Sequence, residues 1–303
     1  PTSPLQGKGV KQRYRYYDYY GGEWTKTGPD GKSGKPEVTE APTETLETPT
    51  VGCILATDGK FYKTVSEANA HSTALALVAV VNGKKRVEKN ADWNGLAILL
   101  KPTESLAWGE MGQNCGADVK LFEQSSGAHF GYLLEKVNDQ DVKYYVADQL
   151  NGMYFTQYYA NGCNGKNHNH PAAKACNYEV FPNIGGFSRA FMPSAGQFIL
   201  AMKGLGIEWD RDWGFGNPDR PNYDKKAEAN QVKAAKKILD DSGCGLTVTT
   251  RFMTTNKVNS EAEAIFMFEY SIMMKGMLFE PVYNALATYP FIAFKYDGGA
   301  TQD

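Results

Sequence analysis

Apolar runs of strand length recur along the chain from residue 51 onward, separated by polar turns. Ala74 to Val81 and Leu96 to Leu100 are continuous apolar runs, a pattern typical of strands that are buried on both faces. Val51 to Ala56 and Lys60 to Tyr62 flank Asp58-Gly59, and an Asp-Gly pair between two such segments is a strong hairpin signal. The sequence between residues 51 and 100 therefore predicts a sheet with a buried centre.

The helical period appears in two longer segments. Ser194 with Gln197 three residues later forms a capping box that begins a helix with one apolar face and ends near Gly204 to Gly206. A second helix is predicted from Asp224 to Asp240, where Val232, Ala235 and Leu239 fall on one side. A short helix is expected from Pro171 to Tyr178, since proline favours the first helical turn.

Further segments have strand composition: Val142 to Val146, Leu246 to Thr255, Ala262 to Met274, Leu278 to Val282 and Tyr289 to Tyr296. Runs of strands combined with a few helices favour the α+β class. We expect a mostly antiparallel, twisted sheet with two main helices and long loops, whose last strands come from the C-terminal part.

The first fifty residues differ from the rest. Arg13 to Tyr20 alternates tyrosine with charge, and more than half of Gly21 to Thr50 is Gly, Pro or Thr. Such a segment buries too little apolar surface to offset its ordering entropy. We therefore expect an arm over residues 1–50, either flexible or lying on the surface, and a folded domain over residues 51–303. The tyrosine run favours packing or an edge strand over stacking on nucleic-acid bases.

Charge and hydropathy exclude several classes. Thirty-two Lys and Arg balance 34 Asp and Glu, giving a formal net charge of −2, whereas a nucleic-acid binder needs a basic patch. The apolar run from Ala74 to Val81 is the longest in the sequence and is far shorter than the ~20 residues of a membrane helix. No lysine-led apolar leader opens the sequence, so we expect any secretion signal to have been removed or never to have existed.

The chemistry-bearing residues favour no enzyme. The sequence contains no G-x-S-x-G, P-loop, G-x-G-x-x-G or H-E-x-x-H motif, and His71 lies in a segment that predicts a polar turn. Five cysteines without a C-x-x-C pair indicate buried free thiols, with one disulfide possible after export. We expect no catalytic activity, no cofactor and no resident metal.

One cluster of residues keeps a zinc site open as an alternative. Cys163, His168, His170 and Cys176 are all zinc-capable, although their spacing matches no known finger or ribbon. The competing interpretation is a polar loop whose His and Asn residues cap the helix that begins at Pro171, with Cys176 on its buried face. A loose calcium site between Asp210 and Asp219 is the weaker interpretation of that segment, and an aromatic-anchored surface loop is the favoured one.

Several blocks resemble a known family. Gly52, Leu55, Asp58-Gly59 and Tyr62 fit the pattern G-x-x-L-x-x-D-G-x-x-Y, and Gly95 to Leu100 is similar to its G-L-A-I-A-L strand. The segment from Leu150 to Tyr178 and the run Phe191 to Gln197 resemble two later motifs. The family comprises Bacteroidetes-type surface lipoproteins and fimbrial-tip adhesins with a C-type-lectin-like domain, a fold shared with formylglycine-generating enzymes and with variable proteins of diversity-generating retroelements.

The resemblance covers residues 51–205 in blocks and the last hundred residues only weakly. It implies a C-type-lectin-like domain over residues 51–303 in a secreted protein at the bacterial cell surface, and the cysteines of the formylglycine-generating relatives have no counterpart here. We expect a non-enzymatic adhesin that binds a host or bacterial glycan or protein, with no nucleic-acid partner. The expected ligand-binding residues, aromatic or polar types of the C-terminal half, are Trp209, Trp213, Asn256, Asn259, Glu261 and Tyr283.

A structural role is the other alternative to an adhesin. In that case the chain is a structural or tip subunit of a pilus or phage assembly, joined to its partner by strand addition through residues 1–50.

Overall fold

The computed structural model describes residues 45–46, 48–83, 85–89, 91–109, 131–246, 251–257, 263–267, 278–282 and 286–296. Every strand pairing within these ranges is antiparallel. The strands are β1 (Thr45–Leu46), β2 (Ile54–Ala56), β3 (Phe61–Tyr62), β4 (Ala74–Val81), β5 (Gly95–Leu99), β6 (Tyr132–Val137), β7 (Gln140–Tyr145), β8 (Arg251–Lys257), β9 (Glu263–Met267), β10 (Leu278–Val282) and β11 (Phe291–Phe294). The helices are α1 (Val65–His71), α2 (Gly152–Ala160), α3 (Gly162–Gly165), α4 (Pro171–Cys176), α5 (Ala195–Gly204) and α6 (Lys225–Asp241).

A six-stranded sheet with the order β1-β3-β2-β4-β5-β11 forms the centre of the fold. Strands β4 and β5 are buried on both faces because their side chains alternate between two apolar clusters. Leu77 and Ala79 belong to the cluster that also contains the apolar faces of α5 and α6. Ala76 and Val78 point the other way and pack with Phe181 and its neighbours. The sheet is therefore a middle layer, which explains the uninterrupted apolar runs in the sequence.

The β2–β3 hairpin forms as its Asp-Gly pair predicts. Gly59 has a φ of +76°, a conformation that a side chain would strain. The Asp58 carboxylate accepts hydrogen bonds from the Lys60 N–H at 3.1 Å and from the Tyr62 hydroxyl at 2.7 Å. The turn thus helps to fix the register of the two strands.

Helix α5 lies directly against β4. Its capping box is present: the Ser194 hydroxyl accepts from the Gln197 N–H, and the Gln197 side chain accepts from the Ser194 N–H. At the other end of the helix, a Cβ on Gly204 would overlap the carbonyl oxygen of Ala79. Glycine at this position lets the helix end approach the strand closely, and a side chain there would push the two elements apart.

The sequence predictions for the longer elements are confirmed. β4, β5, α5 and α6 lie where they were expected, and the antiparallel sheet with few helices agrees with the predicted mixed α and β architecture. The prediction for His71 is wrong, since it ends helix α1 rather than lying in a polar turn. The C-terminal strands also divide: β11 joins the central sheet, whereas β8, β9 and β10 form a three-stranded sheet of their own.

The arm predicted over residues 1–50 lies mostly outside the described residues. Its described end contributes β1, whose Thr45 and Leu46 pair with Tyr62 and Phe61 of β3. The division of the chain at residue 50 and the assembly role of the arm stay predictions. In the part of the chain that the structure describes, no helix is both long and apolar enough to cross a membrane.

Candidate recognition surface

A tight loop presents three consecutive polar and aromatic residues at the surface. Asp210 and Gly214 close it with two backbone hydrogen bonds, of 3.2 and 2.9 Å. The Asp210 carboxylate accepts from the N–H groups of both Asp212 and Trp213, each at 2.9 Å. These bonds fix the backbone of the tip, so that Arg211, Asp212 and Trp213 project from a preformed turn.

The ends of this loop are anchored in the main core. Trp209, on one side, is 7% exposed, and Phe215, on the other, is 4% exposed; both belong to the cluster that packs between the sheet and helices α5 and α6. Functional residues are commonly carried on loops that a rigid scaffold positions. The tip is therefore held at both ends by buried aromatic rings.

A two-stranded hairpin, β6–β7, faces the loop. Asn138 and Asp139, with φ angles of 52° and 63°, form its turn, as expected where both central residues need positive φ. Tyr132 pairs with Tyr145 across the strands, and their rings meet edge to face at 5.7 Å. Lys143 lies on the same face, with its ammonium 4.1 Å from the centre of the Tyr132 ring.

The loop tip docks on this face of the hairpin. The Arg211 guanidinium lies 3.9 Å from the centre of the Tyr145 ring and pairs with Asp148. The Asp212 carboxylate accepts from the Lys143 ammonium at 2.7 Å. The backbones approach so closely that a Cβ on Gly131 would overlap the carbonyl oxygen of Arg211. We call the resulting patch the charged–aromatic surface; its members are Tyr132, Lys143, Tyr145, Asp148, Arg211, Asp212 and Trp213.

Opposite charges balance across this surface and remain in contact with water. The hydrogen bond from Lys143 lowers the pKa of Asp212, and the same bond raises the pKa of Lys143. Both groups therefore stay ionised through the neutral range. The side chains of the two ion pairs are between 40% and 58% exposed. The surface thus offers fixed cationic donors and anionic acceptors beside aromatic rings, with no net charge from its two pairs.

The structure separates the residues that the sequence predicted as ligand-binding. Trp209 is a packing residue of the core, and Trp213 is half-buried at the loop tip. Asn256 lies on β8, in the separate three-stranded sheet. Asn259, Glu261 and Tyr283 lie outside the described residues. Their role in binding stays a prediction.

Sequence reasoning missed most of the charged–aromatic surface. Only Trp213 of its members was predicted as ligand-binding. Lys143 and Asp212 are 69 residues apart in the chain, and only the docking of the loop on the hairpin joins them. The available signal was the Asn138-Asp139 pair, which marks a hairpin turn, followed by the tyrosines of β7.

The carboxylates suggested for a calcium site have other partners. Asp210 accepts from its own loop backbone, Asp212 pairs with Lys143, and the carboxylate of Asp219 is not grouped with either. Calcium needs six to eight oxygen ligands around one point. Within the described residues, the carboxylates of this loop provide no such convergence.

Part of the alternative zinc set does converge. Ligand atoms of Cys163, His168 and His170 lie within 4.8 Å of one another, whereas Cys176 is outside the group. Cys163 is disulfide-bonded. The other described cysteines, Cys53, Cys176 and Cys244, are buried free thiols, as predicted. The expectation that Cys176 completes the set is therefore wrong in this structure.

Comparisons with known proteins give one distant structural neighbour. No family model matches the chain, and no curated protein matches its sequence. A crystal structure of a fimbrial protein from Bacteroides ovatus ATCC 8483 is similar with a TM-score of 0.48 and 11% identity, over 81% of this chain. The chain spans about half of that protein, 49% of its length. A likeness of this extent establishes neither the family nor the activity of this chain.

Proposed function

We propose that this chain is a non-enzymatic recognition protein, an adhesin with a C-type-lectin-like domain displayed outside the cell. It binds a glycan or protein ligand through the charged–aromatic surface. The observation that carries the proposal is the docking of the Arg211–Trp213 tip on the β6–β7 hairpin. This contact assembles exposed donors, acceptors and aromatic rings in one place.

Preorganisation is the first support for this proposal. The tip is fixed by the Asp210 carboxylate and by buried Trp209 and Phe215 at its ends. A ligand therefore meets side chains whose backbone is already ordered, and it does not have to supply the free energy of ordering the loop. Recognition surfaces gain affinity in this way more than through contact area.

The chemical character of the surface is the second support. Trp213 and the two tyrosines supply aromatic area, and aromatic side chains are enriched where proteins bind ligands. Two ion pairs supply hydrogen-bonding groups of both kinds without a net charge. That combination suits a polar ligand with many hydroxyl or amide groups, and it does not favour a polyanion.

The experiment is a binding screen of the purified chain against a glycan array and a panel of surface proteins. It is run once with calcium and once with EDTA. We expect a ligand whose binding survives EDTA, because the loop carboxylates are already committed to backbone and lysine partners. Binding that disappears in EDTA would contradict this metal-free mode.

Variants then assign the binding to the surface. Trp213→Ala and Arg211→Ala are each expected to lower the affinity for the ligand by about tenfold or more, as substitutions of central interface residues do. Tyr154→Ala is the matched control, since Tyr154 is an exposed aromatic residue, 46% accessible, on helix α2. Equal binding by all three variants and the parent would place the ligand elsewhere.

A further inference from the structure

A second cluster, independent of the charged–aromatic surface, groups three metal-ligating side chains between α3 and α4. Cys163 belongs to α3, and His168 and His170 belong to the connection that ends where α4 begins. The Cys163 Sγ lies 3.2 Å from His170 Nε2. His168 completes the group, with the ring centres of the two histidines 6.4 Å apart.

His170 is oriented as metal-ligating histidines usually are. Its Nδ1 lies 3.2 Å from the carbonyl oxygen of Trp108, and a carbonyl only accepts hydrogen bonds. Nδ1 therefore carries a proton, and in the neutral imidazole this leaves the lone pair of Nε2 on the side of the Cys163 sulfur. A backbone carbonyl on the far ring nitrogen is the common outer partner of a histidine bound to a metal, because it fixes both the tautomer and the ring orientation.

The surroundings hold this imidazole in place. Trp108 meets the His170 ring edge to face at 4.8 Å, and Tyr159 lies 5.0 Å from it. A Cβ on Gly109 would come 2.6 Å from His170 Nδ1, so glycine leaves the space that the ring occupies. Cys163 and His170 are 0% and 1% exposed. His168 is only half-buried and gives the cluster its side toward solvent.

The oxidation state of Cys163 decides what this cluster binds. Zinc takes cysteine as the thiolate, at about 2.3 Å, and histidine nitrogen at about 2.0–2.1 Å. A sulfur in a disulfide has no thiolate to offer. The spread of donor atoms, at most 4.8 Å, exceeds a tetrahedral arrangement by roughly an ångström. Metal binding therefore requires the three side chains to move closer together, and His168 is the only one of them that is not fully buried.

We propose that reduction of the disulfide at Cys163 converts this cluster into a zinc site formed by Cys163, His168 and His170, with water in the fourth position. In the reduction, a phosphine gives two electrons to the sulfur–sulfur bond and takes an oxygen atom from water, whose two protons complete the two thiols. A dithiol reductant supplies both electrons and both protons and is itself oxidised to a disulfide. Zinc binding then releases the Cys163 proton to solvent. Disulfide and metal are mutually exclusive, so the site reports the redox state of its surroundings.

The test uses cobalt as a spectroscopic substitute for zinc in the full chain. The protein is prepared oxidised, and separately reduced with a water-soluble phosphine that is then removed under anaerobic conditions. Both forms are titrated with Co²⁺, followed by Zn²⁺ in competition. We expect the reduced form alone to bind one equivalent with a thiolate-to-cobalt charge-transfer band, which zinc abolishes. Equal binding by the oxidised form, or no binding by the reduced form, would overturn the proposal.

Variants separate ligation from folding. His168→Asn changes a half-buried side chain and is expected to weaken cobalt binding by more than the roughly 10–100-fold that loss of an outer partner costs. Cys163→Ser should remove the charge-transfer band. Cys176→Ser is the matched control, because Cys176 is a buried free thiol of the next helix that lies outside the group. Circular dichroism checks that each variant is folded. Cobalt absorption spectra and affinity for His168→Asn that equal those of the parent would contradict the assigned ligand set.

Discussion

Two carboxyl groups, Asp212 on the charged–aromatic surface and Glu88 in the interior, show how exposure and burial shift a pKa in opposite directions. Asp212 faces a lysine and water, and its pKa is lowered by the hydrogen bond from Lys143. Glu88 is 0% exposed, and burial raises its pKa from 4.5 to about 7. Its partners are the Met153 N–H at 3.1 Å and the Gln197 amide at 2.8 Å. The first carboxylate is ready for recognition at neutral pH, whereas the second is a cost to stability once it ionises.

We expect the titration of Glu88 to have the largest effect on the free energy of unfolding. A carboxyl whose folded-state pKa is raised stabilises the fold fully below its unfolded value, near 4.5, and that stabilisation is lost as the pH rises through about 7. We expect the free energy of unfolding to fall by about 3 kcal/mol between these limits, from the size of the shift. Urea unfolding at a series of pH values measures it.

The Glu88→Gln variant isolates this contribution. The amide oxygen of glutamine keeps an acceptor for Met153 but never ionises, so the pH dependence should flatten and the variant should exceed the parent in stability at pH values above about 7. Glu104→Gln, at an exposed glutamate, is the control. Parallel profiles for Glu88→Gln and the parent would show that Glu88 does not titrate across this range.

Gly131→Ala should disrupt the contact between the loop tip and the β6–β7 hairpin. The new methyl group would overlap the carbonyl oxygen of Arg211 and force the loop tip off the hairpin. Overpacking of this kind costs about 1–3 kcal/mol, and the ligand affinity should fall with it. Gly185→Ala is the matched control, because nothing lies within 4 Å of the added Cβ. Equal shifts of the urea midpoint in Gly131→Ala and Gly185→Ala would contradict the close contact between Gly131 and the loop tip.

The Lys143–Asp212 pair should give the smallest effect on stability. Exposed ion pairs are screened by water and salt. A double-mutant cycle with Lys143→Met and Asp212→Asn should yield a small coupling free energy that vanishes near 1 M salt, where the screening length is about 3 Å. The Glu88 effect should persist there, since buried groups are screened much less. A coupling that survives such salt would place the pair in a drier environment than the structure does.

Local signals in the sequence predicted the elements that form by local rules. Asp58-Gly59 marked its hairpin, and Ser194 with Gln197 marked the start of α5. The same capping signal at Thr64 and Glu67 begins α1, which the sequence reasoning overlooked. Helix α2 carries no comparable signal, since Asn151 precedes it without a side-chain cap. Elements without a local marker depend on the packing that surrounds them.

The candidate sites depended on contacts between distant segments, and these the sequence did not reveal. Two tryptophans four residues apart, Trp209 and Trp213, look alike in the sequence, yet one is in the core and the other is at the loop tip. Which of them is buried depends on the position of the loop against the sheet. The Cys163 cluster was predicted in part: all four predicted members are close in sequence, but only Cys163, His168 and His170 bring their ligand atoms within 4.8 Å of one another.

The place of β11 has a consequence for synthesis of the chain. Phe291–Phe294 pairs with Gly95–Leu99, and the Phe294 ring fills the space beside Gly95 that a side chain would occupy. At ~5–20 residues per second, roughly 10–40 s separate the translation of these two strands. During that interval the apolar edge of β5 has no partner and is a template for pairing with other chains. Until β11 is synthesised, the free edge of β5 is therefore the position in the central sheet at which one nascent chain can pair with another.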